Sequence, residues 1–263
     1  MSKRYKPYSR LVKNSAYVPW DKNSSSIVPK DVTEGGLRAG ISYLCNLYQT
    51  QNGSSDLPKI AMKHQLYSVM DSRTTVDQGI NSLRESSDIK LFKTSLGTDQ
   101  YCIMFTVDYI EHIRSLYSND AQSNIGSKMN KISKPLLKFI TEVVPNSSDV
   151  SLDKTTLFEK FGFQDSDITE LIKAGVLNVR DAGSWWIAIP TAGQFLKLLR
   201  KGRQATLQII KRTKYKELNQ AELLSRKPPS SIKLGMLYHI HDLVGADLVK
   251  CIESTTGIIL KPI

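Results

Sequence analysis

The sequence predicts a mixed α+β protein that is mostly helical and has short strands. Three observations indicate this class. Apolar residues at helical spacing alternate with short strand-like runs along residues 36–263. A pattern of helix, strand, turn, strand and helix covers residues 161–203. The apolar spacing inside that pattern also occurs elsewhere in the chain, which indicates repeated units.

The clearest pattern lies at residues 161–203. Asp165 or Ser166 can cap a helix, and Gly175 is predicted to adopt a left-handed conformation that ends it. Strands at 176–179 and 184–189 follow, joined by a tight turn. A helix followed by a two-stranded ribbon is typical of the second half of a winged helix, whose third helix can enter a major groove.

Two tryptophans stand side by side in the second of these strands. Because neighbouring strand residues face opposite sides, Trp185 and Trp186 must point in opposite directions. In one interpretation, one ring packs in the core and the other lies on the wing, where it contacts DNA or a protein. In the other interpretation, both rings are structural.

A complete unit of the same kind is predicted upstream. An amphipathic helix begins at Gly36, and strands at 89–92 and 101–105 flank a polar loop. Between them, short helices are predicted at 65–70 and 74–85. These elements make one full winged helix.

Apolar triplets with separations of three and six residues indicate that the unit is repeated. The three triplets are Ile80, Leu83 and Ile89; Ile168, Leu171 and Leu177; and Val249, Ile252 and Ile258. We therefore predict three tandem winged-helix domains with short β-wings, at 35–120, 121–190 and 191–263. The third is expected to have a long basic first helix within 191–226 and a truncated wing after a strand at 257–260.

The positive charge is concentrated in two segments. Residues 1–30 hold seven Lys/Arg and one acid, a net of 7 − 1 = +6, and residues 190–230 hold ten and two, a net of 10 − 2 = +8, out of +11 overall. Residues 1–34 are predicted to form a disordered basic arm. This arm is either a tether for nuclear import or nucleic acid, or a solvated tail.

The second basic segment is the candidate site. Because a solvated helix face normally mixes signs, this single-sign cluster predicts contact with DNA phosphates. Ten residues form the candidate set: Lys197, Arg200, Lys201, Arg203, Lys211, Arg212, Lys214, Lys216, Arg226 and Lys227.

Catalytic, metal and membrane functions have little support in the sequence. No nucleotide-binding or kinase motif is present, so we expect neither an enzyme nor a cofactor. His239 and His241 are expected to pack in the core, with Asp242 orienting one of the rings. The cysteines Cys45, Cys102 and Cys251 are expected to be buried thiols. No signal peptide or membrane span is recognisable, so we expect a soluble intracellular protein.

Several blocks resemble one known family. The most specific are RDAGSWW and KGRQA, and the longer ones are KHQLYSVMDSRTTVDQGINSL, KGRQATLQIIKRTKYKEL and LGMLYHIHDLVGADLVKCIESTTG. They are similar to the serine/threonine-protein kinase 19 family over about residues 37–263. Despite its name, that resemblance implies a nuclear, chromatin-associated winged-helix protein that binds double-stranded DNA in transcription-coupled nucleotide excision repair. It implies RNA polymerase II, the Cockayne syndrome proteins and TFIIH as partners.

The resemblance also suggests site residues. The family's DNA-contacting positions correspond to Lys197, Lys211, Lys214, Arg226 and Lys227. The function expected is thus a non-enzymatic DNA-binding adaptor. The alternatives are a protein kinase, as the family name says, and a protein–protein scaffold that does not bind DNA. A homodimer is left open.

Overall fold

A computed structural model describes residues 28–29, 32, 34–52, 57–70, 72–97, 100–118 and 132–263. Most of the predicted arm at 1–34 and nearly all of the polar linker predicted at 118–130 lie outside these residues. The described part is a mixed fold of helices and three small antiparallel sheets, as the sequence predicts. The domain borders at 35–120, 121–190 and 191–263 stay a prediction.

The elements follow one another in three sets. The first set is α1 (Gly36–Asn52), β1 (Ala61–Met62), α2 (Lys63–Leu66), α3 (Arg73–Glu85), β2 (Ile89–Lys93), β3 (Tyr101–Phe105) and α4 (Thr106–Ser118). The second is α5 (Lys134–Lys138), a π-helical segment (Phe139–Val143), α6 (Val144–Asn146), β4 (Ser151–Asp153), a second π-helical segment (Thr156–Lys160), α7 (Asp165–Lys173), β5 (Leu177–Asp181) and β6 (Ser184–Ile187). The third is α8 (Ala192–Lys211), β7 (Leu218–Asn219), α9 (Gln220–Ser225), α10 (Met236–Gly245), β8 (Val249–Ser254) and β9 (Gly257–Pro262).

All three sheets have the same topology. In each, the last strand lies between the other two and pairs antiparallel with both, giving the orders β1-β3-β2, β4-β6-β5 and β7-β9-β8. In the first and third sets, a short helix and then a longer one separate the first strand of the sheet from the hairpin. In the second set, a π-helical segment takes the place of the short helix.

The junction between helix and hairpin is also the same in the three sets. A left-handed residue stands two positions before the first hairpin strand: Ser87 (φ 59°), Gly175 (φ 76°) and Asp247 (φ 54°). The amide of the next residue donates to a helix carbonyl five residues earlier, as from Val176 to Leu171 at 3.2 Å. This geometry closes the helix end. It confirms the left-handed conformation predicted for Gly175.

The prediction that Val249, Ile252 and Ile258 repeat the helix-to-strand pattern of the other two triplets was wrong. Val249 and Ile252 lie on strand β8 and not on a helix. The residues that share the spacing of three and six are Ile240 and Leu243 on α10, followed by Val249 at the start of the strand. Ile258 lies on β9, so the predicted triplet spans the two strands of the hairpin.

Two further expectations for residues 191–263 are corrected. The wing is complete, because β8 and β9 pair over six residues from Val249–Pro262 to Ser254–Gly257. The long helix ends at Lys211 instead of continuing to 226, and strand β7 and helix α9 follow it. Gly202 does not break α8.

The described residues group into two compact units. The central unit contains residues 56–63 and 72–196, and therefore the first two sheets. Strands β2 and β6 contact each other within it. Tyr109 on α4 donates to the Ala188 carbonyl at 2.9 Å, and the buried Lys90 ammonium donates to the Ser147 carbonyl. Burial lowers the pKa of Lys90 to about 8.

The terminal unit contains the described residues up to 55, then 64–71 and 197–263. Helix α1 buries Ile41, Leu44, Cys45 and Tyr48, the face that its periodicity predicts. Tyr48 meets Tyr238 of α10 edge to face, with ring centroids 5.2 Å apart. The third sheet and α9 pack on α8 and α10 around a core that includes Ile210, Leu223, Ile240, Leu243 and Leu260.

Candidate nucleic-acid interface

Helix α8 and the segment after it carry the ten candidate residues, all within the terminal unit. Phe195, Leu199, Thr206 and Ile210 are buried along one side of α8. The opposite side is exposed and has the spacing of three and four residues that aligns side chains on a helix. That exposed side carries Lys197, Arg200, Lys201 and Lys211, with Gln204 and Gln208 between them, and the exposed Arg212 follows the end of the helix.

Arg203 points away from this exposed side. Its guanidinium binds the carboxylate of Asp242 through two hydrogen bonds, Nε to Oδ2 at 2.6 Å and Nη2 to Oδ1 at 2.7 Å. Asp242 is fully buried, and the side chain of Arg203 is only 18% exposed. Arg203 therefore has a structural role, and it is the one member of the predicted set that the structure holds inside.

A histidine from a distant part of the sequence completes this buried cluster. His64 Nε2 lies 2.7 Å from Asp242 Oδ1. Burial alone would raise the pKa of Asp242, but the hydrogen bonds from Arg203 and His64 outweigh it, and the net effect lowers that pKa. Asp242 was expected to orient His239 or His241. It binds His64 instead.

The two histidines of α10 are buried, as predicted. His241 Nδ1 lies 2.9 Å from the Ser68 hydroxyl, and neither ring nitrogen of His239 has a hydrogen-bond partner among the described residues. Burial lowers the pKa of each to about 4. Within the part of the chain that the structure describes, no group of three or more His, Cys, Asp or Glu side chains could hold a metal ion.

The segment after α8 adds four exposed cations in an ordered loop and helix end. Lys214 and Lys216 lie in the loop between α8 and β7, and Arg226 and Lys227 follow α9. The only two acids in residues 190–230 are each held by a cation: Glu222 by Arg226 at 2.5 Å and Glu217 by Lys261 at 2.6 Å. The surface therefore keeps a strong positive excess.

The helices that precede the hairpins are poor candidates for a DNA groove. Helix α7 carries Asp165, Asp167 and Glu170 against Lys173, a net of 1 − 3 = −2. Helix α3 is neutral overall, with two arginines and two acids. Helix α10 buries eight of its ten residues. The positive surface lies instead on α8 and the segment after it, which favours contact with phosphates over reading of base edges.

Sequence reasoning missed three parts of the surface. Lys250 and Lys261 are paired neighbours on the hairpin β8–β9, which was expected to be truncated. Cys251, expected to be buried, is exposed on the same hairpin, whereas Cys45 and Cys102 are buried. Tyr215 is exposed between Lys214 and Lys216, and the aromatic residue between two cations was the signal that could have identified it.

The tryptophan pair is half-buried. Both Trp185 and Trp186 are of intermediate exposure on β6. The guanidinium of Arg180 lies 4.5 Å from the centre of the Trp186 ring. Trp185 pairs with Leu152 and Val179 across the sheet. The Trp186 ring therefore has a structural contact, and the two interpretations stay open for Trp185.

Known proteins resemble the chain over most of its length. A family model described as inactive serine-threonine protein kinase 19 matches residues 38–261. The human protein called winged helix repair factor 1 is 40% identical over 227 residues, covering 86% of this chain and 85% of that protein. The mouse protein of the same name is 38% identical over 233 residues, with coverages of 89% and 88%. The Dictyostelium discoideum protein of that name is 29% identical over 244 residues, with coverages of 81% and 60%.

Every helix among the described residues is too short or too polar to span a bilayer.

Proposed function

The chain belongs to the inactive serine-threonine protein kinase 19 family, and from that membership we propose that it is a repair protein that binds double-stranded DNA through phosphates. The family description and the repair-factor names of its relatives support a non-enzymatic protein. The names of those relatives also support a winged-helix repair protein. The kinase alternative is set aside on the same ground.

The observation that carries the DNA proposal is the exposed basic surface of the terminal unit. We call it the basic surface: Lys197, Arg200, Lys201, Lys211, Arg212, Lys214, Lys216, Arg226 and Lys227. From Lys197 to Lys211 the α8 part extends over about 21 Å at the helical rise of 1.5 Å per residue. Such a stripe can meet several consecutive phosphates, because duplex DNA carries one charge per about 1.7 Å of its axis.

The finer architecture of the proposal is three tandem winged helices. Three sheets of identical strand order, each with the same left-handed junction between its hairpin and the preceding helix, support this count. The third helix of each, which inserts into the major groove in many winged helices, is acidic, neutral or buried here. We therefore propose binding with little base preference.

We propose further that the protein acts in the nucleus, in transcription-coupled nucleotide excision repair. Its partners there would be RNA polymerase II, the Cockayne syndrome proteins and TFIIH. The family resemblance and the repair-factor names support this step. Capture of RNA polymerase II from irradiated nuclei by the tagged chain, compared with unirradiated nuclei, tests it. Equal capture from both would contradict a role in damage response.

Duplex binding at two salt concentrations tests the central proposal. Fluorescence anisotropy with two labelled duplexes of unrelated sequence should give similar affinities for the purified full chain. The affinity should fall steeply as salt rises, with a log–log slope of about −0.9 for each phosphate contacted. Folded protein that does not bind either duplex at low salt would overturn the proposal and favour a protein–protein scaffold.

A further inference from the structure

Tyr215 lies in the middle of the basic surface and exposes its ring. Tyr215 is 73% exposed, the largest exposed fraction of any large apolar residue in the described part of the chain. Single exposed apolar residues are common and need no explanation by themselves. What distinguishes Tyr215 is the loop that holds it and the charges around it.

The loop is ordered by hydrogen bonds. The Thr213 hydroxyl lies 2.7 Å from the Ile210 carbonyl and 2.9 Å from the Glu217 carbonyl, so its single proton can be donated to either end of the loop. The Lys216 amide donates to the Thr213 carbonyl at 3.0 Å, and Lys216 itself has a left-handed φ of 54°. Glu217 is held in turn by Lys261. The ring is thus presented from a fixed backbone, which lowers the entropic cost of binding.

One cation lies over the ring, and two more lie on the same loop. Lys214 places its ammonium 5.3 Å from the ring centroid, and Arg212 and Lys216 are exposed on the same loop. An exposed aromatic ring among phosphate-binding cations is the arrangement with which proteins stack on unpaired bases. In a continuous duplex the base faces are covered by their neighbours, so this ring has a stacking partner only where a base is unpaired.

We propose that Tyr215 stacks on an unpaired base beside the duplex, so that the basic surface binds junctions of double and single strands more tightly than continuous duplex. This inference rests on the proposed function, because the cations must first hold the duplex. A partner protein is the less favoured occupant, since the surface offers the ring no apolar neighbour within the loop: residues 212–217 are otherwise polar or charged.

Three DNA molecules of one core sequence test the proposal with the full chain. The first is a duplex whose ends are closed by ethylene-glycol linkers and which has no unpaired base. The second has a short single-stranded extension at one end. The third has the same extension built from abasic sites, so that its phosphates match the second and only the bases differ. Anisotropy gives the affinity of the native chain, Tyr215→Phe, Tyr215→Leu and Tyr215→Ala for each.

The native chain and Tyr215→Phe should bind the base-containing extension about 5- to 150-fold more tightly than the abasic one, the range expected for stacking on one base. Tyr215→Leu and Tyr215→Ala should lose that preference and keep the native affinity for the closed duplex. Equal binding of the two extensions by the native chain, or a preference that survives in Tyr215→Ala, would overturn the inference and leave duplex binding intact. Absence of binding to all three molecules would overturn the proposed function as well.

Discussion

Arg203 reaches across the terminal unit to Asp242, and its guanidinium meets both carboxylate oxygens at 2.6 and 2.7 Å. The two residues are 39 positions apart in the sequence, and Arg203 lies on α8 whereas Asp242 lies on α10. Planar two-point contact of this kind is specific to arginine. Arg203 thus stabilises the fold, whereas the other basic residues of α8 are exposed.

Replacing Arg203 by Met should lower the free energy of unfolding by about 3 kcal/mol. The reason is that a buried Asp242 would keep its charge without its main partner. Urea unfolding of the purified variant measures this. Arg200→Met, three residues away on the exposed side, is the matched control and should change stability by about 0.5 kcal/mol or less. Equal stability of the two variants would contradict the buried pair.

Acid should destabilise the protein before its carboxylates are titrated. Burial lowers the pKa of His239 and His241 from 6.5 to about 4, so below pH 6.5 the unfolded chain binds protons that the folded chain does not. Each histidine should therefore remove stability as pH falls from 6.5 to about 4, by up to about 1.4 kcal/mol per pH unit. The lowered pKa of Asp242 acts only below its ordinary value of 3.8, outside this window.

Urea unfolding at a series of pH values between about 7 and about 5 measures the slope. His241 lies 3.4 Å from the Tyr43 hydroxyl and 2.9 Å from the Ser68 hydroxyl, whereas the charges of Asp242 and Arg203 act on the pKa of His239 in opposite directions. In His241→Asn the pH slope should fall by the share of one histidine, whatever the absolute stability. A slope identical to that of the native chain would show that His241 is not kept neutral by burial.

Gly202 should not tolerate even one methyl group. A Cβ there would lie 2.0 Å from Nε2 of the buried His239, so Gly202→Ala must displace the ring from a packed core. The same change at Gly193, on the same helix, meets no atom of the described residues within 4 Å and should stabilise the helix by up to about 1 kcal/mol. Thermal melting of both variants decides the matter, and a Gly202→Ala variant as stable as Gly193→Ala would contradict the close packing.

Reversing Arg226 and Lys227 to Glu should weaken duplex binding for every sequence alike. Each phosphate that these two residues no longer bind should reduce the magnitude of the log-affinity against log-salt slope by about 0.9. The fold should persist, because both side chains are exposed. The control is Lys160→Glu with Lys173→Glu, which makes the same change in charge on exposed positions of the central unit. Native affinity in the first double variant, with a normal thermal melt, would remove Arg226 and Lys227 from the site.

The local sequence pattern was sufficient to predict those elements whose structure depends on residues close together in the chain. The hairpin 89–105, the face of α1 and the left-handed Gly175 were all predicted because periodicity and turn chemistry lie within a few residues. The role of Arg203 was missed because its partners are 39 and 139 residues away. Strand β8 was missed because five of its six residues are exposed, and an exposed strand has no strict apolar alternation to reveal it.

The three junctions closed by Ser87, Gly175 and Asp247 also limit how the length of the chain can vary. In each, an apolar helix residue lies six positions before the first strand residue, as Leu171 lies before Leu177. An inserted residue there would advance the strand by about 3.3 Å and turn its side chains to the opposite face. These junctions should therefore not accept insertions or deletions, and differences in length between members of the family are expected in the polar stretches between the sheets.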